Sequence, residues 1–466
     1  MQRVTLNVKR YTLKNTRYTT TIERHTVLGY ANLMRSPPFH RRILPWVFAL
    51  TFLIAAPALV FYTSGYRWNA KKAKIERNGT LIIDSRPTKA SIFLNGKNNN
   101  ETTPITLQNV TPGNYTIKIQ KNGYHSWEKR LDVYPELVTF VNEVRLWKDV
   151  QPLEDDFQGV FRIDAAPDEK NLALLKMNGA SGTLIIWTPE SGAQKIIEFS
   201  HSSNPDTIFS WSPDSRYLLL QDEKAGENSH WLINPRTDGD PIELPKGTYR
   251  WNGSILEGTT DGNAITINPA NGSISRQPYT KGIEDIFSGL VLRYATGTDS
   301  LVLFHENIPE RGLILPSGDW RVYSSERNGL ILRDGINWLN LNAEAEVPEI
   351  NRLTGDKLRP FNDGNEISYL AINGGELWLW NVNGDSELLL RESQPISDAV
   401  WHSAGSDVAF ALNGGVFMLN LDKRNNRIRT QLAEFDKVYD LALLKKKLYI
   451  SASLNNRSGI WELEIE

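Results

Sequence analysis

The stretch WSPDSRYLLL, residues 211–220, decides the fold: an aromatic residue, a short polar one, a turn built on Pro213 and Asp214, then a strongly apolar strand. The same unit returns as AAPDEKNLALL from Ala165, WNGSILEG from Trp251, FSGLVLR from Phe287, YSSERNGLIL from Tyr323, FNDGNEISYL from Phe361 and WHSAGSDVAF from Trp401. A weaker eighth copy, LLKKKLYISA, starts at Leu443. Successive starts lie 36 to 46 residues apart, and each unit continues through a second strand such as TLIIW (183–187), LWLWNV (377–382) or VFMLNL (416–421). A unit of about forty residues holding four short strands cannot bury its apolar faces alone, and stacking such units around an axis gives a propeller blade per unit. The 14 Trp, 16 Tyr and 16 Phe, against only 4 Met, likewise favour pleated, half-buried surfaces, so the fold class expected is mostly β.

The last unit supplies only KVYDLALL, KLYISAS and GIWELEIE before the sequence stops. Its missing outer strand is expected from the start of the array, where DVQPLE (149–154) is similar to the outer-strand segment DPIELP (240–245). That closure predicts eight blades over residues 148–466, with seven as the alternative if the first or last unit is not a blade. Pairing both ends in one sheet protects edges that an open array would expose. WSPDSRYLLL resembles the repeat of WD-type and Tol-type propellers, although the WD dipeptide is absent and the other units have drifted.

Upstream, residues 79–147 alternate in steps of two: TLIID, ASIFLNGK, ITLQNV, YTIKIQKNGY, WEKRLDV and VTFVNEVRL. Turns fall at Asn95-Gly96, Pro112-Gly113 and Asn122-Gly123, which predicts a compact β-sandwich-like module. Gly79, Pro87 through Ala90, the NGK turn at Asn95, Thr103-Pro104, Pro112-Gly113 and Gly123-Tyr124 resemble the PEGA domain of bacterial and archaeal envelope proteins. The naming tetrapeptide reads PTKA here, taken as variation in the middle of a turn. The resemblance implies a non-catalytic extracytoplasmic adaptor that acts as a spacer, with its glycines and prolines serving turn geometry.

Further upstream, ILPWVFALTFLIAAPALVFY (43–62) is twenty residues without a charge. A helix of that length crosses a hydrocarbon core of roughly 30 Å. Arg41-Arg42 on one side and Tyr62, Tyr66 and Trp68 on the other suit the two interfaces. Ala56-Pro57-Ala58 has the look of a signal-peptidase site, but the apolar run continues through Leu59-Val60-Phe61 as an anchor does. Residues 1–42 carry nine Lys/Arg against the single acid Glu23, which predicts a disordered cytoplasmic tail and an extracytoplasmic C-terminal part. Arg67, Lys71, Lys72, Lys74 and Arg77 in the linker 63–78 weaken that contrast without reversing it. Met34 is an alternative start to Met1.

With no cysteine, the sequence excludes disulfides, thiolate metal sites and cysteine nucleophiles. His25, His40, His125, His201, His230, His305 and His402 show no metal-site spacing, and no phosphate loop, dinucleotide fingerprint or nucleophile elbow occurs. Ser126-Trp127-Glu128-Lys129 matches S-x-x-K only formally, because an extended strand does not bring Ser and Lys together. The acidic turns at Asp238-Gly239-Asp240, Asp261-Gly262-Asn263, Asp363-Gly364-Asn365 and Asn383-Gly384-Asp385 read as hairpin turns rather than cation sites. Trp211, Trp251 and Trp401 keep one register, which suits packing between blades better than a carbohydrate-binding rim. No catalytic, cofactor or metal residue is therefore expected, and the ligand-binding residues are not specified. The expectation is a single-pass membrane protein of the bacterial envelope, with the propeller a platform for protein or glycan, no nucleic-acid partner and no enzymatic activity. The alternative is a hydrolase or lyase of envelope polysaccharide whose acids converge on the channel.

Overall fold

In the computed structural model the described residues run from Phe39 to Glu466 with short interruptions, the longest at 201–207 and 342–349. Residues 1–38 of the basic tail, with both candidate start methionines and His25, and His201 lie outside the described residues, whereas Phe39 to Arg42, expected to belong to a disordered tail, are helical. Two compact units result, residues 1–66 and 67–466.

The first unit holds one helix, Phe39–Thr63, whose segment Ile43–Thr63 is apolar, exposed and long enough to cross a membrane. Pro45 and Pro57 both lie beyond the first four residues of the helix, so each removes one interior i→i−4 hydrogen bond. Thr63 ends the helix with its hydroxyl donating to the carbonyl of Leu59 at 2.9 Å.

The second unit contains the module and the ring. A short pair of strands, Tyr66–Asn69 and Lys74–Arg77, runs through the segment expected to be linker. The module packs a three-stranded sheet against a four-stranded one. In the first, Gly79–Arg86 lies between Ile105–Val110, antiparallel, and Val138–Arg145, parallel. The second is ordered Lys97–Thr102, Ser91–Leu94, Gly113–Gln120, Trp127–Val133. Alternation delivers Leu81 and Ile83 from one sheet and Ile92, Ile117, Ile119 and Leu131 from the other into a common core. Gly79 departs from the turn role expected of it. A Cβ there would lie 2.4 Å from the Tyr134 carbonyl oxygen and 2.7 Å from Val133, so close packing demands glycine.

After the module, eight four-stranded antiparallel sheets follow among the described residues. Seven take four consecutive strands each, from Val160–Ala165 to Arg429–Glu434. The eighth joins Lys437–Leu444, Lys447–Leu454 and Arg457–Glu464 to the early strand Leu153–Asp155, with Leu153 opposite Glu462 and Asp155 opposite Ile460. The closing strand is thus the end of the segment picked out by its likeness to 240–245, and the fold is a β-propeller. Most repeat starts mark the end of a first strand and its hairpin into the second: Ala165, Trp211, Phe287 and Trp401 are the last residues of theirs, whereas Tyr323 lies within Arg321–Glu326.

Apolar clusters bridge neighbouring sheets. Leu175 and Leu184 of the first meet Phe209 and Leu220 of the second, and Trp187 of the first meets Tyr449 of the eighth edge-on at 5.6 Å. Trp251 donates its indole N–H to the Ser210 carbonyl one sheet earlier, and Trp401 does the same to Arg359, both at 3.2 Å, while its ring stacks on Phe361. Trp251 and Trp401 therefore fasten their sheets to the preceding ones, in line with the packing reading at these two positions.

Candidate functional site

First strands of four sheets converge on one ionic cluster. The sixth sheet's strand Lys357–Asn362 places Lys357 and Arg359 on the same side, two residues apart. Asp398 comes from Ile396–Trp401 in the seventh, Asp440 from Lys437–Leu444 in the eighth, and Asp164 from Val160–Ala165 in the first. The strands carrying Asp398 and Asp440 shift register immediately before the aspartate, a bulge that re-aims the side chain.

The Arg359 guanidinium lies 3.0 Å from Asp398, 3.1 Å from Asp440 and 3.5 Å from Asp164. The Lys357 ammonium lies 3.2 Å from Asp398 and 3.1 Å from Asp440. Both aspartates also accept backbone N–H groups from the next sheet in the ring. Asp398 takes Leu441 and Asp440 takes Ile163, each at 3.0 Å. The pair Asp398 and Asp440 is fully buried, while Arg359, Lys357 and Asp164 are 23%, 31% and 33% exposed.

Burial pushes the Asp440 carboxyl up to about 7, and the nearby Asp398 charge adds to this. Burial opposes ionisation of Asp398 too, but Arg359 and Lys357 outweigh it and hold the carboxyl below the usual range. One proton shared within the pair, resting on Asp440, satisfies both trends. Asp164 is raised to about 6, chiefly by burial and partly by Asp398, against the pull of Arg359. Chemically, the two buried aspartates staple the ring across its closure, and Lys357, Arg359 and Asp164 are the partly exposed members of the cluster.

A second charged cluster fixes the module to the ring. Lys129 is the inward charge of the strand Trp127–Val133, whose Trp127, Leu131 and Val133 are also buried. Its ammonium reaches the Asp422 carboxylate at 3.0 Å and the Asp422 carbonyl at 2.6 Å, in the hairpin that ends the seventh sheet. From that hairpin Arg424 donates to the Phe140 carbonyl, Asn425 donates to that of Arg130, and Ile428 packs on the module core. Burial pushes the Asp422 carboxyl up, but hydrogen bonds from Arg424 and Lys129 outweigh it and hold it at about 2. Beside it, Arg145 bonds Glu466 at 2.5 Å and His402 lies 3.2 Å from the same carboxylate. Contact with His402, and then the Arg145 guanidinium, hold the Glu466 carboxyl at about 2 against the effect of burial.

The sequence-level candidates are spread apart. Lys129 of the S-x-x-K match is committed to Asp422, His305 accepts from the Asn307 N–H, and His125 lies 3.7 Å from Asp149. Of the acidic turns, only Asp238-Gly239-Asp240 falls wholly within the described residues, and there Lys195 is already bonded to the Gly239 carbonyl. Among the described residues no group of His, Cys, Asp and Glu is arranged to hold a metal ion. The ionic cluster was missed because its members come from four repeats and form no linear motif. Its signal is a charge inside an apolar strand, as in FRIDA, KLRPF, SDAVW and YDLAL.

No curated protein matches the chain in sequence. Among solved structures it is similar to the Dos1 propeller, at 12% identity and a TM-score of 0.43, covering 69% of this chain and 96% of that one. It is also similar to apo AztD from Citrobacter koseri, at 9% identity and a TM-score of 0.44, covering 63% and 98%. Residues 78–145 match the PEGA domain family, so the module bolted to the ring is a PEGA domain.

Proposed function

We propose that the protein is a membrane-anchored binding protein of the bacterial envelope, its N-terminus cytoplasmic and its PEGA domain and propeller outside. The apolar helix and the basic flank of residues 1–42 support the anchor and its orientation. The ring is the platform for a protein or glycan, and the PEGA domain holds it in a fixed attitude instead of trailing it on a tether. One observation carries this reading: Asp398 and Asp440, the buried carboxylates where four first strands converge, are used up by inter-sheet bonds, so that this cluster serves as a structural lock. Full-length protein in nanodiscs, presented with purified cell-wall glycan and with envelope extract, should retain a defined ligand that empty nanodiscs do not. Retention of nothing in either arm overturns the platform.

A polysaccharide-cleaving enzyme is the second reading, favoured by the single observation that Asp164 is partly exposed with a carboxyl raised to about 6, a range suited to a general acid. Glycan shortened during the incubation, and left intact by an Asp164→Asn variant, would select it.

A further inference from the structure

Outside the apolar helix, large hydrophobic side chains left exposed among the described residues mostly stand singly, such as Ile196, Ile242, Ile274 and Ile314, one to a sheet. Four break that pattern. Tyr134, Leu137, Val138 and Phe140, between 44% and 58% exposed, fall within seven consecutive residues of the PEGA domain. In the strand Val138–Arg145 the core takes Val141 and Val144, so Val138 and Phe140 occupy the outward positions that a water-facing strand gives to polar residues.

This loop is held where the chain reaches the domain from the apolar helix. The Glu136 N–H donates to the Asn78 carbonyl at 3.2 Å and the Thr80 N–H to the Leu137 carbonyl at 3.0 Å, while Arg77 pairs with Glu136 at 2.7 Å. Residues 64–78, which join helix and domain, span at most about 50 Å even fully extended. They carry Arg67, Lys71, Lys72, Lys74 and Arg77 against the single acid Glu76. An aromatic and aliphatic tip tied through Arg77 and Asn78 to the end of a segment of basic sequence matches the interface of an anionic bilayer, where Tyr and Phe bury ring area and cations meet headgroups. A water-filled surrounding would instead leave four large apolar side chains wetted at one spot.

We propose that residues 134–140 form a second membrane contact, with Tyr134, Leu137, Val138 and Phe140 seated in the interfacial layer of the bilayer that the helix crosses. The inference rests on the anchor reading above and is independent of what the ring binds.

Because the chain has no cysteine, single probes are clean. Full-length Leu137→Cys, Ile274→Cys and Phe52→Cys variants, each labelled with an environment-sensitive fluorophore and placed in nanodiscs of neutral and anionic lipid, are compared with lipids carrying a nitroxide high on the acyl chain. The expected result is blue-shifted, nitroxide-quenched emission at positions 137 and 52, stronger at 137 in anionic lipid, and none at 274. Quenching at 52 without quenching at 137 overturns the contact and leaves the anchor standing. Loss of quenching at both removes the anchor and the contact together. Equal quenching at 137 and 274 shows an ectodomain lying on the bilayer with no preferred edge, and a label at 137 shielded from aqueous iodide yet untouched by the nitroxide shows a protein cover; either result overturns the proposal.

Discussion

At the residue scale, the PEGA turn shows how a local conformation filters side chains. Lys89, third in PTKA, sits at φ +60°, in the left-handed region that costs a residue with a Cβ about 1 kcal/mol. The turn is nonetheless locked, since the Lys89 N–H donates to the Thr103 carbonyl at 2.8 Å and the Ala90 N–H to the Thr103 hydroxyl. Lys89→Gly should therefore raise stability by up to about 1 kcal/mol, read as a higher denaturant midpoint with unchanged slope. Trp401 combines a stack on Phe361 with one hydrogen bond to Arg359. Trp401→Phe keeps ring area and loses the bond, so a loss of about 1 kcal/mol is expected, whereas Trp401→Ala should cost about 3 kcal/mol or more. Equal losses for the two would mean that the indole N–H, not the stack, fastens the sheets.

At the element scale, the strand Trp127–Val133 carries a polarity error that only its partner resolves. Its alternation puts Lys129 in line with Trp127 and Leu131, and the seventh sheet's terminal hairpin brings Asp422 to meet it. Burial lowers the Lys129 pKa more than Asp422 restores it, whereas Asp422 also gains Arg424 and ends at about 2. Removing one partner strands the other's charge. Lys129→Met and Asp422→Ala alone should each cost about 3 kcal/mol, and the double variant should cost clearly less than their sum. Additive losses would show that domain and ring are not coupled through this pair. Asp422 also gives the junction a pH term of its own. A carboxyl depressed to about 2 contributes stability above its ordinary value near 4, and that contribution is lost as pH falls from about 4 to 2.

At the scale of the whole molecule, the seam where the ring closes responds to pH in the opposite sense. Asp440, raised to about 7, Asp164, to about 6, and Asp155 of the closing strand, to about 6, all hold a proton more tightly when folded. Their contribution is full below the ordinary carboxylate value near 4 and is lost as pH climbs through those raised values. Asp398, held low by Arg359 and Lys357, stays ionised over that window and does not change. Melting temperature should fall between about pH 4 and pH 7, and Asp440→Asn, which still accepts from Ile163 and donates to Asp398, should flatten the slope. A variant with the parental slope would place the pH response elsewhere.

Legibility followed the range of the interactions involved. Strand alternation, hairpin turns, the apolar helix and the forty-residue repeat are properties of neighbouring residues, and the sequence alone determined the β class, the PEGA landmarks, the repeat starts and the region of the closing strand, which pairs at Leu153–Asp155, the end of the expected segment 149–154 and one residue beyond it. Turn residues and period-two patterns act within a few positions, so they survive without any knowledge of the fold. Only the tertiary structure decided why Gly79 must be glycine, where Lys129 finds its counter-charge and that Lys357, Arg359, Asp398, Asp440 and Asp164 form one cluster. Those residues stand as far as 276 positions apart, from Asp164 to Asp440. Closing the ring sets them side by side, and no local pattern in a strand records which distant strand will become its neighbour.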